Sequence, residues 1–456
     1  MRSTKLWLII SLLVMFSLIF SACAPTAAPT TAAPEETEEA AQPEETEEAA
    51  PTEEPVETEE PTPTEEVEAT EEAAPAEEFV FGLLLVGPYN DHGWSQAHYE
   101  AGLYVEENLP GSRMVYIDKV NVADRPGTTP AQLADELVAQ GAELVVFNSD
   151  DMKDSSTEFA LANPEIMVVM ASGDQVWEDG IEKDQIEETY GVSEIPNMVN
   201  VMGRMEYGKM MAGCAAALTT QTGQIGYLGP LINDETRRLA ASAYLGAKYC
   251  WEEYLGNDPA ELGFKVTWIG FWFNIPGFTS DPTLVADDFF NTGHDVVISG
   301  IDTTEGLQEA IKFADAGQEV WAIPYDFIGS CSEGPEVCLG VPYFNWGPSY
   351  LRHFTAAAEG TWESTFEWLP PDWEDLNNPD TTNVGFVQGD ALPEEASAQL
   401  DEFIAELAGG LNLFTGPLNY QDESQFLAEG EVATDQQVWY LPQLLEGMEG
   451  QSVSAE

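Results

Sequence analysis

Residues 79–94 read Phe-Val-Phe-Gly-Leu-Leu-Leu-Val-Gly-Pro-Tyr-Asn-Asp-His-Gly-Trp. The first eight form a continuous apolar run closed by Gly87-Pro88, the pattern of a strand buried on both faces. A polar turn follows, and a helix is predicted over 94–108. Strands at 114–117, 144–147 and 166–170 continue the rhythm. Between the first two, Thr129-Pro130 reads as an N-cap with Pro at the first helical position, leading into a helix over 131–140. The pattern restarts at 199–202, with a helix over 207–219, a strand at 225–228 and a helix over 235–254. Strands at 266–271, 296–299 and 320–323 follow, with helices from Pro282 and Thr304 between them. Short strands alternating with helices predict parallel sheets covered on both faces. Two such series predict an α/β protein of two similar lobes, 79–198 and 199–325, completed by 326–380 and 381–456 respectively.

The first 78 residues read differently. Arg2 and Lys5 precede an apolar run over 6–20, the length of a signal-peptide core and short for a membrane span. It ends Phe20-Ser21-Ala22-Cys23, which resembles a bacterial lipoprotein cleavage box. A signal peptide over 1–22 and a lipid on Cys23 are expected. Residues 24–78 hold 20 Glu, no Lys or Arg, and otherwise only Ala, Pro, Thr, Val and one Gln. Such a segment buries too little apolar surface to offset its ordering entropy, so 23–78 is expected to be a disordered tether. A flexible chain of that length reaches about 40 Å, and Pro and charge repulsion extend it further. The expected place is the outer face of a cell membrane.

The remaining chain keeps a net charge near −49. Such acidity repels nucleic acid and anionic lipid and excludes them as partners of the folded body. Five cysteines include no C-x-x-C pair. Cys331 and Cys338 can close a local disulfide. Cys214 and Cys250 are left as a second bridge or as free buried thiols. Four histidines (92, 98, 294, 353) and no H-E-x-x-H give no metal site, and no cofactor is expected. There is neither G-x-x-x-x-G-K-[ST] nor G-x-G-x-x-G after the first strand, and nothing points to a catalytic set. A non-enzymatic binding protein, acting as a monomer, is expected.

In open parallel sheets ligands bind beyond the carboxyl ends of the strands. Those ends carry Asn90, Asp91 and Trp94, Asn148 and Ser149, Ser172, Arg204, Trp272, Asp302, Tyr325 and Asp326, and Asn345 and Trp346. Polar groups beside aromatic rings suit a flat, polar-edged small molecule. Trp94 is read as a stacking plate, with Trp346 or Trp272 as the second. His98 lies one turn beyond Trp94 on the same helix face. Asp91 and Asn90 are read as ligand contacts or as caps of the helix. Asp326 and Asn345 are assigned to ligand edges. Arg204, one of few cations, is assigned to the ligand or to a cleft carboxylate such as Asp91 or Asp326.

These strand-end motifs resemble the basic membrane protein family, purine-nucleoside-receptor-like solute-binding lipoproteins of ABC importers. The resemblance is carried by Asp91-His92-Gly93-Trp94-Ser95-Gln96-Ala97-His98, Gly203-Arg204-Met205-Glu206-Tyr207, Trp272, Gly293-His294-Asp295-Val296-Val297 and Asn345-Trp346-Gly347-Pro348-Ser349-Tyr350. Gly360-Thr361-Trp362 and Thr415-Gly416-Pro417-Leu418 complete it, over about 79–450. It implies a type I periplasmic-binding fold, two lobes on a multi-stranded hinge, closing on a purine-like ligand, with an ABC permease and ATPase as partners. Nucleoside-binding members open with Asp-Lys-Ser-Phe-Asn and carry a Lys near the last hinge strand. Gly93-Trp94 and Asn345-Trp346 stand in those places here, so a free base suits as well as a nucleoside. The rival readings are a sugar-binding protein of the same fold and a sensor or adhesin lipoprotein.

Overall fold

The computed structural model describes residues 78–453. The signal peptide, Cys23 and nearly all of the tether lie outside these. The first half of the body runs β1 (Phe79–Leu84), α1 (Trp94–Asn108), β2 (Ser112–Ile117), α2 (Pro130–Val138), β3 (Leu144–Phe147), α3 (Lys153–Ala162), β4 (Met167–Met170), α4 (Ile181–Tyr190), β5 (Met198–Gly203) and α5 (Met205–Thr219). Next come β6 (Gln224–Gly229), α6 (Asp234–Glu253), β7 (Gly263–Trp268), α7 (Pro282–Asn291), β8 (Val296–Ser299), α8 (Glu305–Asp315) and β9 (Trp321–Ile323). The chain ends through β10 (Gly340–Phe344), α9 (Gly347–Glu359), β11 (Phe366–Leu369), β12 (Val384–Gln388), α10 (Glu394–Ala408), β13 (Leu418–Asn419), β14 (Gln425–Leu427), α11 (Asp435–Trp439) and β15 (Met448–Glu449).

The first sheet has the order β11-β5-β4-β3-β1-β2 and the second β15-β7-β6-β8-β9, with every pairing parallel. β1, β3 and β10 are fully buried, which is what a sheet covered on both faces demands of its strands. Helix α2 starts where Thr129-Pro130 predicts. The Thr129 hydroxyl accepts from the Gln132 N–H, and the Gln132 side chain accepts from the Thr129 N–H. Between the sheets, β10 and β12 pair antiparallel. Gly203, leaving β5, lies so close that a Cβ there would meet Val384 at 2.6 Å and Phe344 at 3.0 Å. The chain therefore passes between the lobes along three adjacent segments.

Two expectations are corrected, and one helix was not expected. β5, read as opening the second lobe at 199, pairs with β4 and β11 in the first sheet. The crossover comes after Gly203: β5 stays in the first sheet, and the next element, α5, packs on α6 of the second lobe. The strand expected at 266–271 runs over Gly263–Trp268 instead; Gly270, at φ +103°, turns the chain out of the sheet. Helix α4, with mostly polar residues and one buried side chain, Ile186, carries no periodic apolar signal.

Both cysteine pairs are bridged. Cys214–Cys250 ties α5 to α6, and Cys331–Cys338 closes the short loop before β10. α5 and α6 pack backbone to backbone, since a Cβ at Gly213 would meet the Ala243 carbonyl oxygen at 1.8 Å.

Candidate functional site

Both sheets reverse direction around their first strand, at β1/β3 and at β6/β8, and ligand crevices form outside such switch points. A narrow cleft lies there, with a cavity of about 20 Å³ between its walls. Trp94, Ser149, Asp150 and Ser172 line it from the strand ends of the first sheet. Tyr227, Pro230, Glu235, Thr236, Leu239, Trp272, Gly300, Asp302 and Tyr325 line it from the second lobe.

The aromatic walls are held by hydrogen bonds. The Trp94 indole N–H donates to the Asn148 carbonyl at 2.5 Å. The Trp272 indole N–H donates across the cleft to Asp151 Oδ2 at 2.8 Å. Other contacts also join the two lobes directly. Ser330 Oγ donates to the His92 carbonyl at 2.8 Å, and His92 Nδ1 stands 3.1 Å from Glu333. Gly93 lies against the backbone of Asp302, where a Cβ would come within 1.8 Å of its carbonyl oxygen.

The electrostatics are one-sided. Burial pushes the Glu235 carboxyl up to about 7; Arg238 opposes this, but Arg238 is bonded to Glu206 at 2.7 Å. The Asp302 carboxyl is raised well above the usual range by burial and then by Asp326, Asp91, Glu235 and Asp151. Burial, with Asp150 beside it, raises Asp151 to about 6. No Lys or Arg lines the cleft. The nearest buried cation, Lys209, donates to the Ser299 carbonyl at 2.6 Å and sits 3.1 Å from the centre of the Tyr325 ring. Burial lowers it to about 7, against the pull of Asp326. Among the described residues no group of three or more His, Cys, Asp or Glu is arranged for a metal ion.

Six of the residues singled out in the sequence meet at this cleft: Trp94, Ser149, Ser172, Trp272, Asp302 and Tyr325. The other eight lie elsewhere. Asn90 is exposed in the turn. Asp91 caps α1, accepting from the N–H groups of Gly93, Ser95 and Gln96. Asn148 accepts from the Val86 N–H and fixes the end of β3. Asn345 spans the hinge, donating to the carbonyls of Pro379 and Thr382. His98 and Trp346 are core: they stack at 4.3 Å, and His98 Nδ1 pairs with the Tyr350 hydroxyl at 2.6 Å. Trp272, not Trp346, is thus the second ring at the cleft. Arg204 reaches neither the ligand cleft nor Asp91 nor Asp326. It stacks 4.0 Å over Trp368 and pairs through both terminal nitrogens with Asp435. Asp326, in the left-handed region at φ +71°, is wholly buried below the cleft wall, with no hydrogen-bond partner for its carboxyl.

The sequence reading missed Asp150, Tyr227, Glu235 and Lys209. Glu235 sits in the first turn of α6, where an acid ordinarily complements the helix dipole, so the pattern hides it. Lys209, a lone cation within the Gly, Met and Ala residues of α5, was the more visible signal.

Two parallel sheets, three chain segments passing between them and a cleft at both switch points define the type I periplasmic-binding fold. A solute-binding protein of an ABC transporter system from Aeropyrum pernix shares it at a TM-score of 0.57 and 13% identity, covering 80% of this chain and 99% of that one. A comK transcriptional activator from Bacillus halodurans shares it at 0.52 and 17%, covering 73% and 98%. The match to the ABC transporter substrate-binding family described as PnrA-like, over residues 79–254, bears out the resemblance carried by the motifs. A purine-binding protein of Brucella abortus is 26% identical over 356 residues, 78% of this chain and 88% of its own. Basic membrane protein B of Borrelia garinii is 26% identical over 37% of this chain and 45% of its own. A Haloferax volcanii protein named for ABC-transporter glucose binding is 26% identical over 62% of each chain. Among the described residues no helix is long and apolar enough to cross a membrane.

Proposed function

We propose that this protein is the extracytoplasmic solute-binding component of an ABC importer, anchored by lipid at Cys23, and that it captures a purine base or nucleoside between its lobes without catalysis. The observation that carries the reading is the pairing of Trp94 and Trp272 on opposite walls of one cleft, each ring fixed by its indole N–H. Base–aromatic stacking contributes about 1–3 kcal/mol per ring. Buried carboxyl and hydroxyl groups between the rings supply edge recognition, since a polar group left unpaired costs about 1–3 kcal/mol. The purine-binding relative that spans most of this chain supports the same ligand class. Titration calorimetry with adenine, guanine, adenosine, inosine, glucose and ribose tests it. Sub-micromolar purine binding is expected. A sugar response with no purine response overturns it in favour of the second reading, a sugar-binding protein, which the glucose-named relative favours.

A further inference from the structure

The charged groups of the cleft wall are all acidic: Asp150, Glu235 and Asp302, set among the hydroxyl groups of Ser149, Ser172, Tyr227, Thr236 and Tyr325. Glu235 leaves the end of β6 and Asp302 the end of β8, strands that are neighbours in the second sheet, so both carboxyls approach a bound ring from one lobe. Nothing cationic lines the cleft, and the cations around it are committed: Lys153, 3.5 Å from Asp150, is paired with Glu182 at 2.7 Å. Lys209 is bonded to the Ser299 carbonyl, and Arg238 to Glu206 with its guanidinium 4.2 Å over Trp439. Facing the carboxyls are Trp94 and the hydroxyl groups of Ser149 and Ser172. The Tyr325 hydroxyl, on a residue 94% buried in the same wall, lies beside the buried Asp326 carboxyl.

At pH 7.5 the Glu235 carboxyl is mostly ionised and only accepts, while the Asp302 carboxyl, kept protonated by burial and its acidic neighbours, retains a carbonyl oxygen as an acceptor. A ring oxygen set against Glu235 would place lone pair against lone pair and leave both unpaired. An exocyclic amino group offers two N–H bonds, and each bond to a carboxylate is of the stronger, charge-assisted kind. A phosphate would enter a pocket of its own sign with no cation to meet it. We propose that the cleft selects amino-substituted purines over their unsubstituted or oxo-only counterparts, with Glu235 as the residue that sets this preference and Asp302 as the second acceptor, and that it rejects nucleotides. This rests on the purine reading above.

The test uses ligand pairs that differ by one amino group, adenine against unsubstituted purine and guanosine against inosine, with AMP as the anionic control. Calorimetry at pH 7.5 is run on the wild-type protein and on Glu235→Gln. In each pair that binds, the amino member should be at least tenfold tighter, and AMP should give no heat. Gln can turn either its carbonyl or its amide to the ring, so E235Q should narrow the ratio to under about threefold. Retained binding of purine or inosine by E235Q shows that the variant is folded. Equal binding within the pairs, tighter binding of the unsubstituted or oxo-only member, a ratio unmoved by E235Q, or binding of AMP overturns the inference while leaving the purine reading intact. No binding by any purine overturns both.

Discussion

Gly93→Ala is a test of closure by a single methyl group. At Gly93 a Cβ would fall 1.8 Å from the Asp302 carbonyl oxygen and 2.6 Å from its carbon, both backbone atoms of the opposite lobe. No side-chain rotation relieves such a clash. An ordinary carbon–oxygen contact needs roughly 3.3 Å, so the lobes must part locally by about 1.5 Å. That parting carries the Trp272–Asp151 bond from 2.8 Å to beyond hydrogen-bonding range, and the Ser330–His92 bond at 2.8 Å next to it. A charge-assisted bond contributes about 1.5–3 kcal/mol and a neutral one about 0.5–1.5. Affinity for the tightest-binding purine should therefore weaken by about 2–4 kcal/mol, roughly thirtyfold to a thousandfold. The added methyl group clashes with the opposite lobe, so stability without ligand should change far less than affinity. Calorimetry gives the affinity, and small-angle scattering with and without ligand gives the compaction. Unchanged affinity together with full ligand-induced compaction in G93A would refute the assignment of this contact to the closed state.

Trp94→Ala should weaken purine binding at least tenfold, about 1.4 kcal/mol, whereas Trp272→Phe keeps a ring and loses only the bond to Asp151, so a threefold to tenfold loss is expected by calorimetry. Arg204→Ala should leave ligand affinity within about twofold and lower unfolding stability by about 1–2 kcal/mol, from a partly exposed ion pair and a ring contact; a large affinity loss would return Arg204 to the site. Burial raises Glu235 from 4.5 to about 7, so the folded protein keeps a proton that the unfolded chain releases, and stability falls as pH rises across that window. E235Q lacks this term, and its urea stability relative to wild type should improve between pH 4.5 and 8 by on the order of 1–3 kcal/mol; a difference independent of pH would contradict the burial of that carboxyl. Replacing Cys214 and Cys250 with Ser should cost about 2–4 kcal/mol by the same assay, and no loss would mean the bridge does not form in the folded protein.

The alternation of strand and helix was legible because the central strands of both sheets, such as β1, β3, β6 and β8, are covered on two faces, which writes an apolar run into the sequence. Boundaries were less so. β5 is apolar whichever sheet it joins, and only its partners β4 and β11 decide. Side-chain roles divided along a physical line. Trp94, Trp272, Ser149, Ser172, Asp302 and Tyr325 follow from the rule that strand ends face the cleft. Asp91, Arg204 and Asn345 obey the same rule for their backbones, but their side chains satisfy local demands first: a helix cap, a carboxylate on α11, two hinge carbonyls. Trp346 and His98 fill the space beneath Trp94, where two more rings are needed to support the plate.

The strand order has a consequence for the making of the protein. The first sheet is not finished until β11, which follows the whole of the second lobe's main series, and the second sheet waits for β15. Neither half is a continuous stretch of chain. No single cut, whether by truncation or by a stalled ribosome, releases a lobe with its edge strand in place. Pairings so distant in sequence form slowly, so both lobes stay incomplete until the last segments of the chain are in place.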